Sequence, residues 1–290
     1  MPLFPTRHLP ALCTVLSLTV FGCSPSQDTI VERPDMVIDV MSFNIRYDNP
    51  ADGQDAWPLR TDWVAHLIDS SGADVVGLQE ALYHQLLDIV MVASRFEWVG
   101  VGRDDGGMSG EFSPVLYDRE RFELLDVDTR WLSETPDSVG SVGWDAALPR
   151  IATIVTLRQR SDGRTLRVLN THFDHRGELA RANSATLVKQ WMSDSDIAMG
   201  DFNFQPDEAP WDSVTAGGLV DVALMMEKGE EGTFRSFDPE AGISNRIDYV
   251  FLNPAHQAQK VDILATIRNG RFPSDHLPVL ASIRLKSDTK

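Results

Sequence analysis

Residues 36 to about 287 predict a single α/β domain, and three observations carry that prediction. Short apolar runs rich in β-branched residues recur along the chain, longer amphipathic stretches stand between some of them, and no Gly/Pro-rich linker divides the body. In order, the strand candidates are Val37–Phe43, Asp74–Leu78, Pro114–Tyr117, Ile151–Leu157, Leu166–Thr171, Ile197–Met199, Ile247–Leu252, Val261–Thr266 and Val279–Leu285. Their length and β-branched content favour strand over helix. The first helix candidate, Arg60–Asp69, puts Trp63, Val64, Leu67 and Ile68 on one face. His84–Ala93 is the second. Glu178–Met192 is the third, with Leu179, Ala182, Leu187, Val188 and Trp191 at roughly helical spacing. The stretch Gly217–Asn245, rich in glycine and acid, reads as partly a long loop and as the rim of a cleft. With 290 residues, 42% of them hydrophobic, the chain can fill a sizeable core.

The first 22 residues have another character. Arg7 and His8 precede an apolar run from Leu9 to Phe21, too short to span a bilayer comfortably but of a length that suits a signal-peptide core. Val20-Phe21-Gly22-Cys23 then resembles a bacterial lipobox, although Phe21 stands where a small residue is usual. The reading is a lipoprotein-type signal peptide over 1–22, lipidation at Cys23, a polar tether over 23–35, and an exported protein anchored in the cell envelope. An uncleaved amphipathic start and an ordinary secretory peptide are the alternatives. Only Cys13 and Cys23 are present, so loss of the leader leaves one cysteine and no internal disulfide. The formal net charge of -17 repels nucleic acid and anionic membranes at long range, which counts against a tight, non-specific binder of duplex DNA. After residue 23 no stretch is long and apolar enough to cross a membrane.

Polar residues stand where the apolar strands end. Asn44 follows the first, Glu80 the second, and His172 with Asp174 the run ending at Thr171. Asp201 and Asn203 follow Ile197–Met199, Asp248 opens the run to Leu252, and Asp275-His276 precede the last strand. Strand ends are where rigid backbones converge on a site. The residue types suit one task. Glu80, Asp275 and the amide oxygen of Asn44 are hard oxygen donors of the kind magnesium takes. Asp201 can position or deprotonate a water, and Asn203 shares its side of an extended chain. His172 and His276 can donate to phosphoryl oxygens, and Asp248 can orient His276. Taken singly, each has a bland explanation: Asn44 as a turn residue, Glu80 as a helix N-terminal acid, His172 as a core histidine, and Ser274-Asp275-His276 as loop.

In order, the segments Ser42-Phe43-Asn44-Ile45-Arg46, Gly77-Leu78-Gln79-Glu80, Asn170-Thr171-His172, Gly200-Asp201-Phe202-Asn203, Arg246-Ile247-Asp248-Tyr249 and Ser274-Asp275-His276-Leu277-Pro278 form a series. It closely resembles the superfamily of pancreatic deoxyribonuclease, apurinic endonucleases, deadenylases, inositol polyphosphate 5-phosphatases and bacterial neutral sphingomyelinases. The likeness runs from about Val37 to Leu285. It implies a four-layer sandwich, two mixed β-sheets face to face with helices outside, and a metal site at one edge. It implies Mg2+, with Mn2+ as a substitute and one or two ions left open. Glu80 then is the main metal carboxylate, helped by Asn44 and Asp275. Asp201, beside Asn203, orients the attacking water, His172 and His276 clamp phosphate, and Asp248 partners His276. Within the superfamily, the likeness is strongest to exported bacterial proteins of undefined substrate, through Asn44–Asn49, Trp57-Pro58, Gly102–Gly106, Gly110–Pro114, Trp144–Arg150 and Thr171–His175.

Arg46, Arg103, Arg150, Asp174 and His175 are the candidate substrate contacts, since guanidinium forks suit phosphate oxygens. Structural ion pairs are the equal alternative for the arginines. Trp57, Trp144 and Phe234 either stack on a sugar or base or pin loops. The function read from the sequence is a Mg2+-dependent phosphoesterase, a phosphodiesterase in the first instance, on a small-molecule or nucleic-acid ester. It touches the membrane through its lipid alone and shows no obligate protein partner. An exported DNA or RNA nuclease and a non-catalytic lipid-anchored binding protein are the competitors; sphingomyelinase activity ranks below them for want of an apolar hairpin.

Overall fold

The computed structural model describes Leu3, residues 36–192 and residues 197–286. Apart from Leu3, the leader falls outside the described residues, as do the tether, Cys23 and the domain end at 287. The chain divides into two units, Met1–Arg33 and Pro34–Lys290, and the fold is that of the second.

The first half runs β1 (Met36–Asn44), α1 (Trp57–Ser70), β2 (Val75–Gln79), α2 (Tyr83–Val92), β3 (Phe96–Val99), β4 (Val115–Asp118) and β5 (Phe122–Trp131). The second runs β6 (Ile151–Gln159), β7 (Thr165–His172), α3 (Glu178–Trp191), β8 (Ile197–Asp201), α4 (Ala209–Thr215), β9 (Val220–Asp221), α5 (Val222–Met225), β10 (Asp248–Leu252), β11 (Gln257–Ile263) and β12 (Val279–Leu285). Two six-stranded sheets result, ordered β11-β12-β1-β2-β4-β3 and β5-β6-β7-β8-β10-β9. Each is mixed in the same way: one parallel pair at the centre, β1–β2 or β7–β8, with antiparallel neighbours outside. A parallel pair needs a crossover, and α1 and α3 supply it.

Three apolar clusters separate four layers. Ile38, Val40, Val75, Val168, Ile197, Met199, Val250 and Ile283 form the cluster between the sheets. Phe43, Val64, Ile68, Val76, Leu86 and Ile89 pack the first sheet against α1 and α2. Leu169, Phe173, Val188, Phe202, Val214 and Phe251 pack the second against α3 and α4. Strands covered on both faces cannot alternate apolar with polar, which is why the central strands read as continuous apolar runs.

One polar link crosses the apolar interior. Asn170 Nδ2 donates to the carbonyls of Leu78 (2.7 Å) and Pro114 (2.8 Å), and its Oδ1 accepts from Gln79 Nε2 at 2.6 Å. Gly77 makes room for it, since a Cβ there would meet Asn170 Oδ1 at 2.6 Å. Gly200 has a related role in β8: with φ at +154°, an added Cβ would lie 2.1 Å from the Thr171 carbonyl oxygen.

The nine strand candidates all fall on strands, with one shifted: Val261–Thr266 is Gln257–Ile263 in the structure. The three helix candidates match α1, α2 and α3 to within a turn. β3, β5, β9, α4 and α5 went unanticipated. Gly217–Asn245, expected as partly loop, holds β9, α5 and a 3-10 turn at Pro239–Ala241.

Candidate active site

Sheet register brings the site residues into line. Along the second sheet His172 pairs with Asp201, and Asp201 with Asp248, so three strand ends set their side chains in one row. In the first sheet Asn44 pairs with Gln79, which places Glu80 at the same rim. β12 runs antiparallel to β1, so the turn before it carries Asp275-His276 to that rim as well.

Contacts across the two sheets then close the group. Asn44 Nδ2 donates to Asp201 Oδ2 at 2.9 Å and to Glu80 Oε1 at 3.2 Å, while its oxygen accepts from the Arg46 N–H at 3.0 Å. The amide therefore tethers the two carboxylates through its nitrogen, where the sequence reading had its oxygen as a cation ligand. Asp201 Oδ2 also lies 3.5 Å from His172 Nε2 and 3.8 Å from His276 Nε2. His276 Nδ1 is held by Asp248 Oδ2 at 2.8 Å. Asp201 Oδ1 accepts from the Asn203 N–H at 3.0 Å, and Asn203 Nδ2 donates to the Phe173 carbonyl. Arg46, Glu80 and Asn203 all have positive φ, at 58°, 62° and 49°. Strained backbone of this kind collects at functional sites.

The electrostatics set the two histidines in opposite states. Burial works against charge on His276, but the Asp248 and Asp201 carboxylates outweigh it and raise its pKa well above the ordinary value. Burial lowers His172 well below it, and Arg150 and Arg103 push the same way, so its imidazole is neutral. Asp201 is pushed up to about 7, first by burial and then by Asp248. Burial also raises Asp275, with Glu80 adding to the effect and His276 and Arg46 opposing it.

Two groups of donors suit a divalent cation. Among the described residues, Asp201, Asp248 and His276 offer three ligand atoms within 4.8 Å of one another. Glu80 Oε2 and Asp275 Oδ2 form the other, converging on the same Arg46 Nη1 at 3.9 and 4.0 Å. The second pair fits magnesium by its hard carboxylate oxygens alone. In the first group His276 Nδ1 is already committed to Asp248.

A cleft of ≈ 760 Å³ opens over these residues; Glu80, His172, Asp201, Asn203, Asp275 and His276 line it. Of the candidate substrate contacts, Arg46, Arg150 and His175 also line it, whereas Arg103 and Asp174 do not. Arg103 forms a bidentate pair with Glu111 at 2.6 and 2.8 Å. Asp174 accepts from the backbone N–H groups of Arg176 (2.9 Å) and Gly177 (2.8 Å) and faces Arg150 Nε at 3.4 Å. Arg150 is 4% exposed, its Nη2 meets His175 Nδ1 at 2.9 Å, and its Nη1 has no partner. Trp57 is buried, donating to Asp88, and Trp144 lies off the cleft. Phe234 lines the cleft with its ring edge-on to His276, 5.0 Å between centroids. The sequence reading missed Glu111, which lines the cleft with Oε2 3.9 Å from His172 Nδ1. Its only signal was an acid opening the run Glu111–Pro114.

The comparisons with known proteins agree with the fold. The chain is similar to an endonuclease/exonuclease/phosphatase family protein from Bacteroides thetaiotaomicron: 31% identity, TM-score 0.83, covering 88% of this chain and 100% of that one. It is similar also to a mannosyl-6-phosphatase from Bacteroides thetaiotaomicron VPI-5482, at 34% identity and TM-score 0.79, over 85% of this chain and 99% of that one. Nocturnin of Drosophila melanogaster is 23% identical over 81% of this chain, which spans only 43% of that protein's length. Residues 41–276 match the Endonuclease/Exonuclease/phosphatase family over most of the chain, and the protein belongs to that family of metal-dependent phosphoesterases.

Proposed function

We propose that the protein is a Mg2+-dependent phosphoesterase that hydrolyses a small phosphate ester by in-line attack of a water held by Asp201. One observation carries this reading: Asp201 Oδ2 is shared by Asn44 Nδ2, His172 Nε2 and His276 Nε2 within 3.8 Å on the floor of the cleft. A carboxylate whose pKa is pushed up to about 7 is matched to taking a proton from water at neutral pH. Charged His276, fixed by Asp248, donates its Nε2 proton to the leaving oxygen as the ester P–O bond breaks and the bond from water forms. Neutral His172 and the Arg150 guanidinium steady the phosphoryl oxygens. Glu80 and Asp275 would hold the cation, which when bound neutralises charge on the phosphoryl group. The likeness to a mannosyl-6-phosphatase supports a sugar-like leaving group, with Phe234 as its platform, and a monoester alongside the diester first read from the sequence. Export with a lipid on Cys23 remains part of the proposal, carried by residues 9–23.

The test is a screen of the purified chain against mannose 6-phosphate, bis(p-nitrophenyl) phosphate, plasmid and single-stranded RNA, with Mg2+, Mn2+ or EDTA. Hydrolysis of a small ester that EDTA stops is expected. Asp201→Ala and His276→Ala should each lower turnover by at least ~10²-fold, the usual scale for acid–base groups. Cleavage of nucleic acid alone would shift the assignment to a nuclease. Metal-independent turnover would remove the mechanism.

A further inference from the structure

Three turns present the cation-site residues: Asn44 to Asp48, Gln79 to Leu82, and Pro273 to His276. Two of them pass through left-handed backbone at non-glycine positions, Arg46 and Glu80. Each such residue is strained and persists only where its surroundings over-determine it. The surroundings here are two buried polar side chains, one from each helix behind the first sheet.

Arg60 of α1 is 4% exposed, beside the apolar face formed by Val64, Leu67 and Ile68. Its guanidinium reaches four main-chain carbonyls. Nη1 donates to Ile45 O and to Pro273 O (3.3 Å), Nη2 to Arg46 O (2.8 Å), and Nε to Asp55 O (2.8 Å). One side chain thus joins the turn after Asn44 to the turn before Asp275. Gln85 of α2 is fully buried and joins the other pair. Its Nε2 donates to Arg46 O at 3.1 Å, and its Oε1 accepts from Asp48 N at 3.1 Å and Leu82 N at 3.0 Å. The Arg46 carbonyl receives both helices and is the hub of the brace.

We propose that Arg60 and Gln85 are positioning residues for the divalent-cation site, cross-bracing the turns of Asn44, Glu80 and Asp275. The inference rests on the proposed function, since it takes Glu80 and Asp275 as the carboxylates of that site. A guanidinium fork suits this role, because its three nitrogens, fixed in one plane, hold four carbonyls, whereas a lysine ammonium offers a single nitrogen. Partners behind a metal's ligands typically set affinity by about 10–100-fold.

Mn2+ binding to the purified full chain, read from the free-ion electron paramagnetic resonance signal, tests this without turnover. Parent, Glu80→Gln, Arg60→Lys and Gln85→Ala are compared, each with its thermal midpoint in EDTA. Glu80→Gln should lose the site, and Arg60→Lys and Gln85→Ala should bind about 10–100-fold more weakly while folded. A parent that binds no Mn2+, or binds it equally well as Glu80→Gln, refutes the cation site itself. Binding by the parent that Glu80→Gln abolishes, with parent affinity in Arg60→Lys and Gln85→Ala, overturns the positioning role alone, even if both midpoints fall. Should Arg60→Lys fail to fold, Gln85→Ala decides.

Discussion

Replacing Asn170 by leucine, a side chain of similar size, isolates the value of the polar link between the sheets. No large cavity forms, so the effect comes from the groups left behind: the buried Leu78 carbonyl loses its Asn170 donor, whereas the Pro114 carbonyl keeps the Leu78 N–H (3.2 Å) and Gln79 Nε2 keeps Gly77 O (3.2 Å) and Ser42 Oγ (3.3 Å). An orphaned buried donor or acceptor costs about 1–3 kcal/mol. One orphan at about 1–3 kcal/mol and two lost hydrogen bonds at roughly 0.5–1.5 kcal/mol each sum to about 4 kcal/mol at mid-range; less roughly 2 kcal/mol regained by burying the leucine, the net loss is about 2 kcal/mol. That is a measurable part of the ~5–15 kcal/mol that holds an ordinary domain folded. Equilibrium urea denaturation reads it: at a slope of about 3 kcal/mol/M the midpoint should fall by ~0.7 M. Gln79 precedes Glu80 and Asn170 lies two residues before His172, so activity under folding conditions should fall as well. A loss under ~1 kcal/mol with the slope unchanged would refute the reasoning, because the apolar interior would then tolerate the Leu78 carbonyl unpaired.

Three further outcomes follow from the same geometry. Asp248→Asn removes the charge that holds His276 protonated, and steady-state turnover should drop at least ~10²-fold with the fold intact; unchanged turnover would detach Asp248 from the chemistry. Asp174 has its carboxyl lowered to about 2; burial opposes ionisation, but N–H donors of Gly177 and Arg176 and the Arg150 charge prevail. A depressed folded pKa stabilises above the unfolded value of about 3.9 and loses that contribution as pH falls toward 2. Asp174→Asn should therefore be less stable than the parent at pH 6, with the gap in urea midpoints closing between pH 4 and 2. A gap independent of pH would contradict the assignment. Cys23→Ser should abolish labelling by radioactive palmitate and release the protein from the membrane fraction; retained label would remove Cys23 as the lipid site.

The strands that escaped the sequence reading share one position. β3, β5 and β9 went unseen, β11 was placed late, and these four are the edges of the two sheets. An edge strand has neighbours on one side only and guards the other with charge, as β5 does with Glu123, Asp126, Asp128 and Arg130. The same charges erase the apolar run that marks a central strand. α4 and α5, seven and four residues long, are too short for periodicity to reveal.

In the site, the sequence by itself determined the residue types and their placement at strand ends, because both depend on neighbours a few positions away. Asn44, Glu80, His172, Asp201, Asp248, Asp275 and His276 were all legible in this way. Only the tertiary structure decided what each of them faces. Asp201 is pushed up to about 7 first by burial between the sheets and then by Asp248, far along the chain yet its partner in the next strand. Arg103 is spent on Glu111, Asp174 on a helix-entry turn, and the Asn44 amide points its nitrogen toward the carboxylates. Interactions of charge and hydrogen bonding change sign or vanish over an ångström or two, and that distance is set by packing two sheets, which no local pattern records.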